Sequence, residues 1–324
     1  KSTVTTLLGE MAKADGVRVA VGGNLGIPAL NLIADDIELY ILELSSFQLE
    51  RTTQLNATVA TVLNISEDHL DRYTGMQDYI EQKHKVYSGD GVMVINADDL
   101  AVNAMQEAGR ELLTFGLDRP ADYHIKQSEQ GAYLAFKEHE ILPINELTIL
   151  GKHNQANALA ALALGKAVGL SERAMCHGLK HYKGLKHRMQ FIADINGVRW
   201  VNDSKATNTG ACVAALQGFD GKNIILIAGG DAKGANMAEL LPSLKAKVQT
   251  LLLIGKDADL IKQAVNECVP IIKVGTLKKA VKQAKKIAEA GNIVLLSPAC
   301  ASLDQFDNYK SRGKCFTVEV EALL

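Results

Sequence analysis

Ile224-Ile-Leu-Ile-Ala-Gly-Gly-Asp-Ala-Lys-Gly234 runs an unbroken apolar stretch straight into a glycine-punctuated polar loop. An apolar run without polar alternation reads as a strand covered on both faces. The loop behind it is where an open parallel sheet gathers its polar groups. The same pairing recurs downstream, where Ile293–Leu296 leads into Ser297-Pro-Ala-Cys-Ala-Ser302 and where Leu251–Ile254 and Ile271–Val274 are further short runs. Upstream, Val17–Val21, Leu39–Leu42, Thr58–Ile65, Met93–Asn96 and Leu112–Phe115 repeat it. Helix-period segments stand between the strands. Ser2–Ala14 carries Leu7, Leu8 and Met11 along one side, Asn154–Val168 is rich in Ala and Leu and closed by Gly169, and Lys278–Ala290 has a lysine-rich wet face. Alternation of this kind predicts an α/β protein with mostly parallel sheets. Only residues 123–150, with the alternation Ala132-Tyr-Leu-Ala-Phe136, read as a small antiparallel insertion.

A chain of 324 residues exceeds the usual span of one domain, and the turn-rich stretch Lys183-Gly-Leu-Lys-His-Arg188 separates two strand series, so the boundary is expected near Gly184. With 47% hydrophobic and 22% charged residues, both parts can bury a core. The formal net charge of -2 with scattered basic residues gives no cationic face for nucleic acid or an anionic membrane. No apolar run approaches membrane-span length. Five cysteines without paired spacing fit a reduced, cytoplasmic thiol set. The first residue is Lys1, with no initiator Met and no leader pattern, so the chain is expected to begin partway through a longer protein.

Several polar clusters follow the strands. Lys1-Ser2-Thr3 before a helix matches the end of a phosphate-binding loop, but without the preceding glycines the motif alone is weak and a plain N-capping Ser or Thr is the simpler account. Glu43, in Glu43-Leu-Ser-Ser-Phe-Gln48, ends a strand where a carboxylate suits magnesium; a surface acid ending a strand is the alternative. Ser66-Glu-Asp-His-Leu-Asp-Arg72 crowds acids, an imidazole and a guanidinium, so His69 reads as a metal ligand, an anion contact or part of a capping turn. Lys83 sits on an apolar helical stripe with Tyr79, Ile80, Val86 and Tyr87, where snorkelling is the plain account. Asn154 and Asn157 open the Ala-rich helix, with Asn154 suited to its N-cap and both amides suited to a base edge.

Eight segments, KSTVTTLLGEMA (1–12), VGGNLGIPAL (21–30), LELSSFQLE (42–50), LNISEDHLDRY (63–73), HNQANALAALALG (153–165), GLKHRMQ (184–190), VNDSKATN (201–208) and LLSPACASLDQF (295–306), together resemble the Mur ligases, and within them the D-glutamate-adding members. The resemblance implies a central P-loop ATPase-type domain over 1–184 and a Rossmann-like amino-acid-binding domain over 185–324. The family's N-terminal uridine-binding domain and the glycines of the phosphate loop have no counterpart, so the chain is expected to be an incomplete, inactive portion. The implied reaction adds D-glutamate to UDP-N-acetylmuramoyl-L-alanine through an acyl phosphate, using ATP and two magnesium or manganese ions, in cytoplasmic peptidoglycan synthesis by a monomer.

The resemblance assigns roles residue by residue. Lys1, Ser2 and Thr3 would serve the ATP phosphates and the first magnesium, which Glu43 also holds. His69 and a carbamylated Lys83 would hold the second. Asn24 and His69 would lie near the muramoyl substrate, Asn154 and Asn157 would face adenine, Arg188 the phosphates and Asp203 the ribose. Thr207, Lys233, Ser302, Leu303 and Tyr309 would form the D-glutamate pocket, with Lys205 at its entrance, and Lys1, His69, Lys83 and Lys205 would be the catalytic side chains. Tyr309 stands where a well-known family member has phenylalanine. The competing readings are a ligase of the same superfamily for another amino acid, and a silent nucleotide-binding fragment.

Overall fold

The computed structural model describes every residue except 66–71, 150, 183 and 267. It divides into two compact units, Lys1–Lys183 and Gly184–Leu324.

In the first unit the opening helix, Ser2–Ala14, buries Val4, Leu7, Leu8 and Met11 on the stripe that a 3.6-residue period places on one face. Parallel strands Val19–Gly23 and Leu39–Glu43 form a two-stranded sheet. A second sheet runs in the order Val59–Val62, Val92–Asn96, Leu112–Phe115, Tyr123–Ser128, Gly131–Phe136, His139–Pro143. Its first three strands are parallel and its last three form an antiparallel meander. The predicted insertion is therefore an extension of the sheet, not a separate layer. Helix Lys152–Ala167 is buried continuously from Ala158 to Leu164. A helix surrounded by core needs apolar residues on every side, which explains its Ala and Leu content.

Two expectations need correction. Asn154 is not the N-cap: the helix starts at Lys152 behind Gly151, whose φ of 92° is open to glycine. The strand predicted over Thr58–Ile65 is only Val59–Val62, the part that finds partners in residues 92–95 of the neighbouring strand. The expected helix around Lys83 is Met76–His84, followed by a 3₁₀ turn, Lys85–Tyr87.

The second unit holds one sheet in the order Ile271–Gly275, Val248–Ile254, Ile224–Gly229, Ile293–Leu296, Val198–Asn202, Gln190–Ile195. All neighbours are parallel except the last pair. Successive residues of one strand enter opposite cores, Leu226 on one face and Ile225 and Ile227 on the other. Both faces are covered, as the unbroken apolar runs required.

Cys212 and Cys300 are buried, and Cys176, Cys268 and Cys315 half-buried; all are free. Burial pushes every one of these thiols above its ordinary pKa, Cys212 and Cys300 to about 12. Among the described residues no helix is long and apolar enough to cross a membrane.

Candidate active site

The first unit gathers its polar groups at the start of helix Ser2–Ala14 and the carboxyl end of strand Leu39–Glu43. Register pairs Gly23 with Glu43. A side chain at Gly23 would meet the Glu43 carbonyl oxygen at 2.4 Å, and its φ is 96°, so only glycine allows this approach. The tight turn lets the Asn24 backbone N–H donate to the Glu43 carbonyl oxygen at 2.6 Å and the Asn24 Nδ2 donate to Glu43 Oε1 at 3.0 Å. Ser2, itself buried, hydrogen-bonds the same carboxylate.

Glu43 is 6% exposed, yet its pKa is lowered. Burial pushes it up, but the bonds from Ser2 and Asn24 and the nearby charge of Lys1 outweigh burial. The carboxylate is thus ionised at neutral pH while Oε2 is buried and accepts no hydrogen bond. A buried anionic oxygen without a partner is costly, and a hard divalent cation is the group that would satisfy it. The donor set therefore fits magnesium. Among the described residues no group of three or more His, Cys, Asp or Glu side chains is arranged around a metal position. An ion at Glu43 must complete its shell with hydroxyl, phosphate or water oxygens.

Lys1, Glu43 and Lys83 line one cavity of about 380 Å³, walled mostly by apolar side chains such as Val4, Leu8 and Val59, with Thr5, Thr61 and Asn64 among them. The Lys83 ammonium lies 4.5 Å from the centre of the Tyr79 ring, and its Nζ donates to the Asn64 carbonyl oxygen at 3.4 Å. Thr3 is half-buried in the helix's first turn. His69 lies outside the described residues. Asn157 Nδ2 donates to Asn154 Oδ1 at 3.0 Å, so the two amides act as a pair on one helix face. Their helix reaches the cavity through Leu164 and its C-cap Val168, about 15 and 21 Å along the axis from Asn154.

In the second unit three adjacent strands, Ile224–Gly229, Ile293–Leu296 and Val198–Asn202, end at the same edge and their loops meet. Asp231 and Ala301 form an antiparallel bridge, with N–H···O distances of 3.0 and 2.9 Å. A side chain at Gly230 would strike the Ala301 carbonyl oxygen at 2.2 Å, so glycine is what lets these loops close. The bridge links the loop carrying Lys233, exposed and with φ at 48°, to the loop carrying Ser302, buried, and Leu303, 63% exposed. The third loop holds Asp203, Lys205 and Thr207. Lys205 Nζ stands 4.3 Å above the Tyr309 ring, a cation–π contact that joins this loop to helix Tyr309–Glu321.

Asp203 is sealed in. Its Oδ2 accepts from Ser297 Oγ at 2.9 Å and its Oδ1 from the Met189 N–H at 3.2 Å. Burial still dominates, over these bonds and the charge of Arg188, and pushes its carboxyl up to about 7. Sequence reasoning missed Ser204, Ser297 and Arg312. The first two lay inside quoted loops, but nothing local marks Arg312 as buried.

Residues 1–165 match the Mur ligase middle domain and residues 187–300 the Mur ligase, glutamate ligase domain. The UDP-N-acetylmuramoylalanine–D-glutamate ligase of Pseudomonas syringae pv. syringae is 52% identical over 330 residues, covering 100% of this chain and 73% of that protein. The ligase of the same name from Methylococcus capsulatus is 51% identical over 325 residues, covering 100% and 71%. Among solved structures, a pseudomurein peptide ligase type C from Methanothermus fervidus aligns with a TM-score of 0.71 at 18% identity, covering 100% of this chain and 77% of that one. The UDP-N-acetylmuramate-alanine ligase of Thermotoga maritima aligns at 0.70 and 17%, covering 100% and 74%. These two show the shared fold. Both halves of the chain match domains of one family, and close relatives match it from end to end: the chain belongs to the Mur ligases.

Proposed function

We propose that the chain supplies the ATP and amino-acid sites for ATP-dependent amide bond formation, adding D-glutamate to UDP-N-acetylmuramoyl-L-alanine in peptidoglycan precursor synthesis in the cytoplasm. The choice of substrates rests on the likeness to ligases named for that pair. The observation that carries the ATP half is Glu43, an ionised, buried carboxylate with an unpartnered oxygen beside Ser2 and Lys1. In the reaction the substrate carboxylate attacks the γ-phosphorus of ATP, the bond to the bridging oxygen breaks and ADP leaves. The D-glutamate nitrogen then attacks the acyl carbon, the carbon–oxygen bond to phosphate breaks, orthophosphate departs and the nitrogen gives up a proton. Each step brings anions together, so the site must supply positive charge.

Lys1 supplies that charge at the phosphates, at the positive end of helix Ser2–Ala14. Ser2 and Glu43 would hold a magnesium ion, and His69 with a carbamate on Lys83 a second; bound there, the ions neutralise phosphate charge. An ammonium on Lys83 would be repelled by such an ion, whereas a carbamate is an oxygen ligand. Asn24 would turn toward the muramoyl substrate, Asn154 and Asn157 toward adenine, and Arg188 toward the phosphates. Asp203 would serve the ribose, a ribose hydroxyl taking the place of one of its present partners, Ser297 Oγ and the Met189 N–H. Lys233, Thr207, Ser302, Leu303 and Tyr309 would receive D-glutamate, with Lys205 steadied on Tyr309 at the entrance.

In the full-length protein, orthophosphate release from ATP should require both UDP-N-acetylmuramoyl-L-alanine and D-glutamate. Release supported by another amino acid and not by D-glutamate would overturn the reading.

A further inference from the structure

Arg312, on helix Tyr309–Glu321, is 1% exposed and plays no part in the chemistry above. Its guanidinium spends its donors on neutral oxygens of two loops. Nε donates to Ser204 Oγ at 3.0 Å and Nη2 to the Ser204 carbonyl at 2.9 Å. Nη1 reaches the Cys300 carbonyl at 3.1 Å and the Ala301 carbonyl at 3.3 Å. Ser204 Oγ in turn donates to the Tyr309 carbonyl at 2.8 Å. None of these acceptors is a carboxylate, so the buried positive charge is hydrogen-bonded to dipoles only, with Asp304 acting on it through space. Burial accordingly pulls the guanidinium down to about 10. Burying a cation without a paired anion is expensive, and an apolar side chain could fill the same volume without that expense.

What the guanidinium obtains is a fixed distance between three segments. Ser204 lies between Asp203 and Lys205; Cys300 and Ala301 immediately precede Ser302; Tyr309 begins the helix that carries Arg312 itself. Each segment bears residues of the proposed amino-acid site. The planar, forked donor set of Arg, with five N–H groups in rigid array, can hold both loops at once, which a lysine cannot.

We propose that Arg312 is a positioning residue for the acidic amino acid: it splints the 202–207 and 300–303 loops into register and leaves its buried charge beneath them to favour an anionic ligand. The inference rests on the proposed function. Loss of one hydrogen bond to a charged group is worth about a ten- to hundredfold change in affinity. In the full-length protein, Arg312→Lys should therefore raise the KM for D-glutamate by about ten- to hundredfold while leaving the KM for ATP within about twofold, since Asp203, the ATP contact proposed in the 202–207 loop, is held by Ser297 and the Met189 N–H and not by Arg312. Arg312→Met, which removes the charge as well, should raise it further. Ser204→Ala, a change of one oxygen atom, removes one acceptor and should shift the same constant in the same direction.

If wild type shows no D-glutamate-dependent turnover, the functional reading fails. If it does, and the KM for D-glutamate in Arg312→Lys and Ser204→Ala stays at the wild-type value, or rises only in step with that for ATP and a fall in Tm, the splint is refuted.

Discussion

Glu43 and Asp203 are buried to nearly the same degree, 6% and 7% exposed, and both stand at the carboxyl ends of parallel strands, yet they titrate in opposite senses. Glu43 in the first unit is held below the usual carboxylate range, whereas Asp203 in the second is pushed up to about 7. The counts of donors are similar: Ser2 and Asn24 for one, Ser297 and the Met189 N–H for the other. The surroundings differ. Glu43 opens on a cavity that it shares with a lysine, while Asp203 is packed beneath Ser297 with both oxygens occupied. Residual surface exposure thus says little about protonation; how tightly the carboxylate is packed decides whether burial or its hydrogen bonds and neighbouring charge win. One unit presents a bare anion, the other stores a proton.

The largest effect expected from this contrast is on stability. Unfolded, Asp203 titrates at its ordinary value of 3.8; folded, at about 7. Between the two the folded protein holds a proton that the unfolded chain has released, so this group's contribution is full below about pH 4 and is lost as pH rises toward 7. The loss has an upper bound of about 4 kcal/mol. Trp200 is the sole tryptophan, is 1% exposed and belongs to the second unit, so its fluorescence in denaturant reports on that unit. The midpoint it reports should fall from pH 4 to pH 7, and Asp203→Asn should flatten the slope. An unchanged slope in the variant would break the comparison.

Glu43 should matter to metal, not to pH near neutrality. Glu43→Gln keeps the shape and removes the anion, and magnesium-dependent ATP binding should weaken by about a hundredfold, at the upper end of what a lost supporting contact costs a metal site. Calorimetric titration of ATP with and without magnesium checks it. Equal affinity in variant and wild type would remove the reason for the bare oxygen.

The smallest effect sharpens the picture of the shared cavity. If Lys83 carries a carbamate, ¹³C-bicarbonate should give a carbamate resonance in the magnesium-loaded protein. That resonance should be absent in Lys83→Ala and lost on acidification, because carbamate forms from the neutral amine. Removing dissolved carbon dioxide at fixed pH should lower activity by roughly tenfold, and bicarbonate should restore it. A sample without a Lys83-dependent resonance would leave the cavity with a lysine and nothing more.

Much of this was legible in the chain. Helix Ser2–Ala14 and strand Ile293–Leu296 were readable because a single face or an unbroken apolar run fixes each locally. The start of the Ala-rich helix was not, because Asn154 is a strong capping residue and only the backbone at Gly151 moves the boundary two residues earlier. Strand Val59–Val62 stops where its partner does, a fact of pairing that no periodicity records. Arg312 was hidden most deeply. In Lys310-Ser-Arg-Gly-Lys314 it looks like one more solvated charge, and the acceptor that gives it meaning, Ser204, lies 108 positions away. Glu43 could be singled out in the sequence because a carboxylate at a strand's carboxyl end suits magnesium, but a surface acid was the equal alternative, and only the structure shows it buried with one oxygen unpartnered.

The thiols hold a practical consequence. Reagents that alkylate or oxidise cysteine attack the thiolate, and burial holds all five thiols above their ordinary pKa. At neutral pH the molecule carries five sulfhydryls and very little thiolate. A cysteine introduced at an exposed position such as Lys233 would be modified far faster than any native one, so a fluorophore could be attached beside the amino-acid loops without first removing a single natural cysteine.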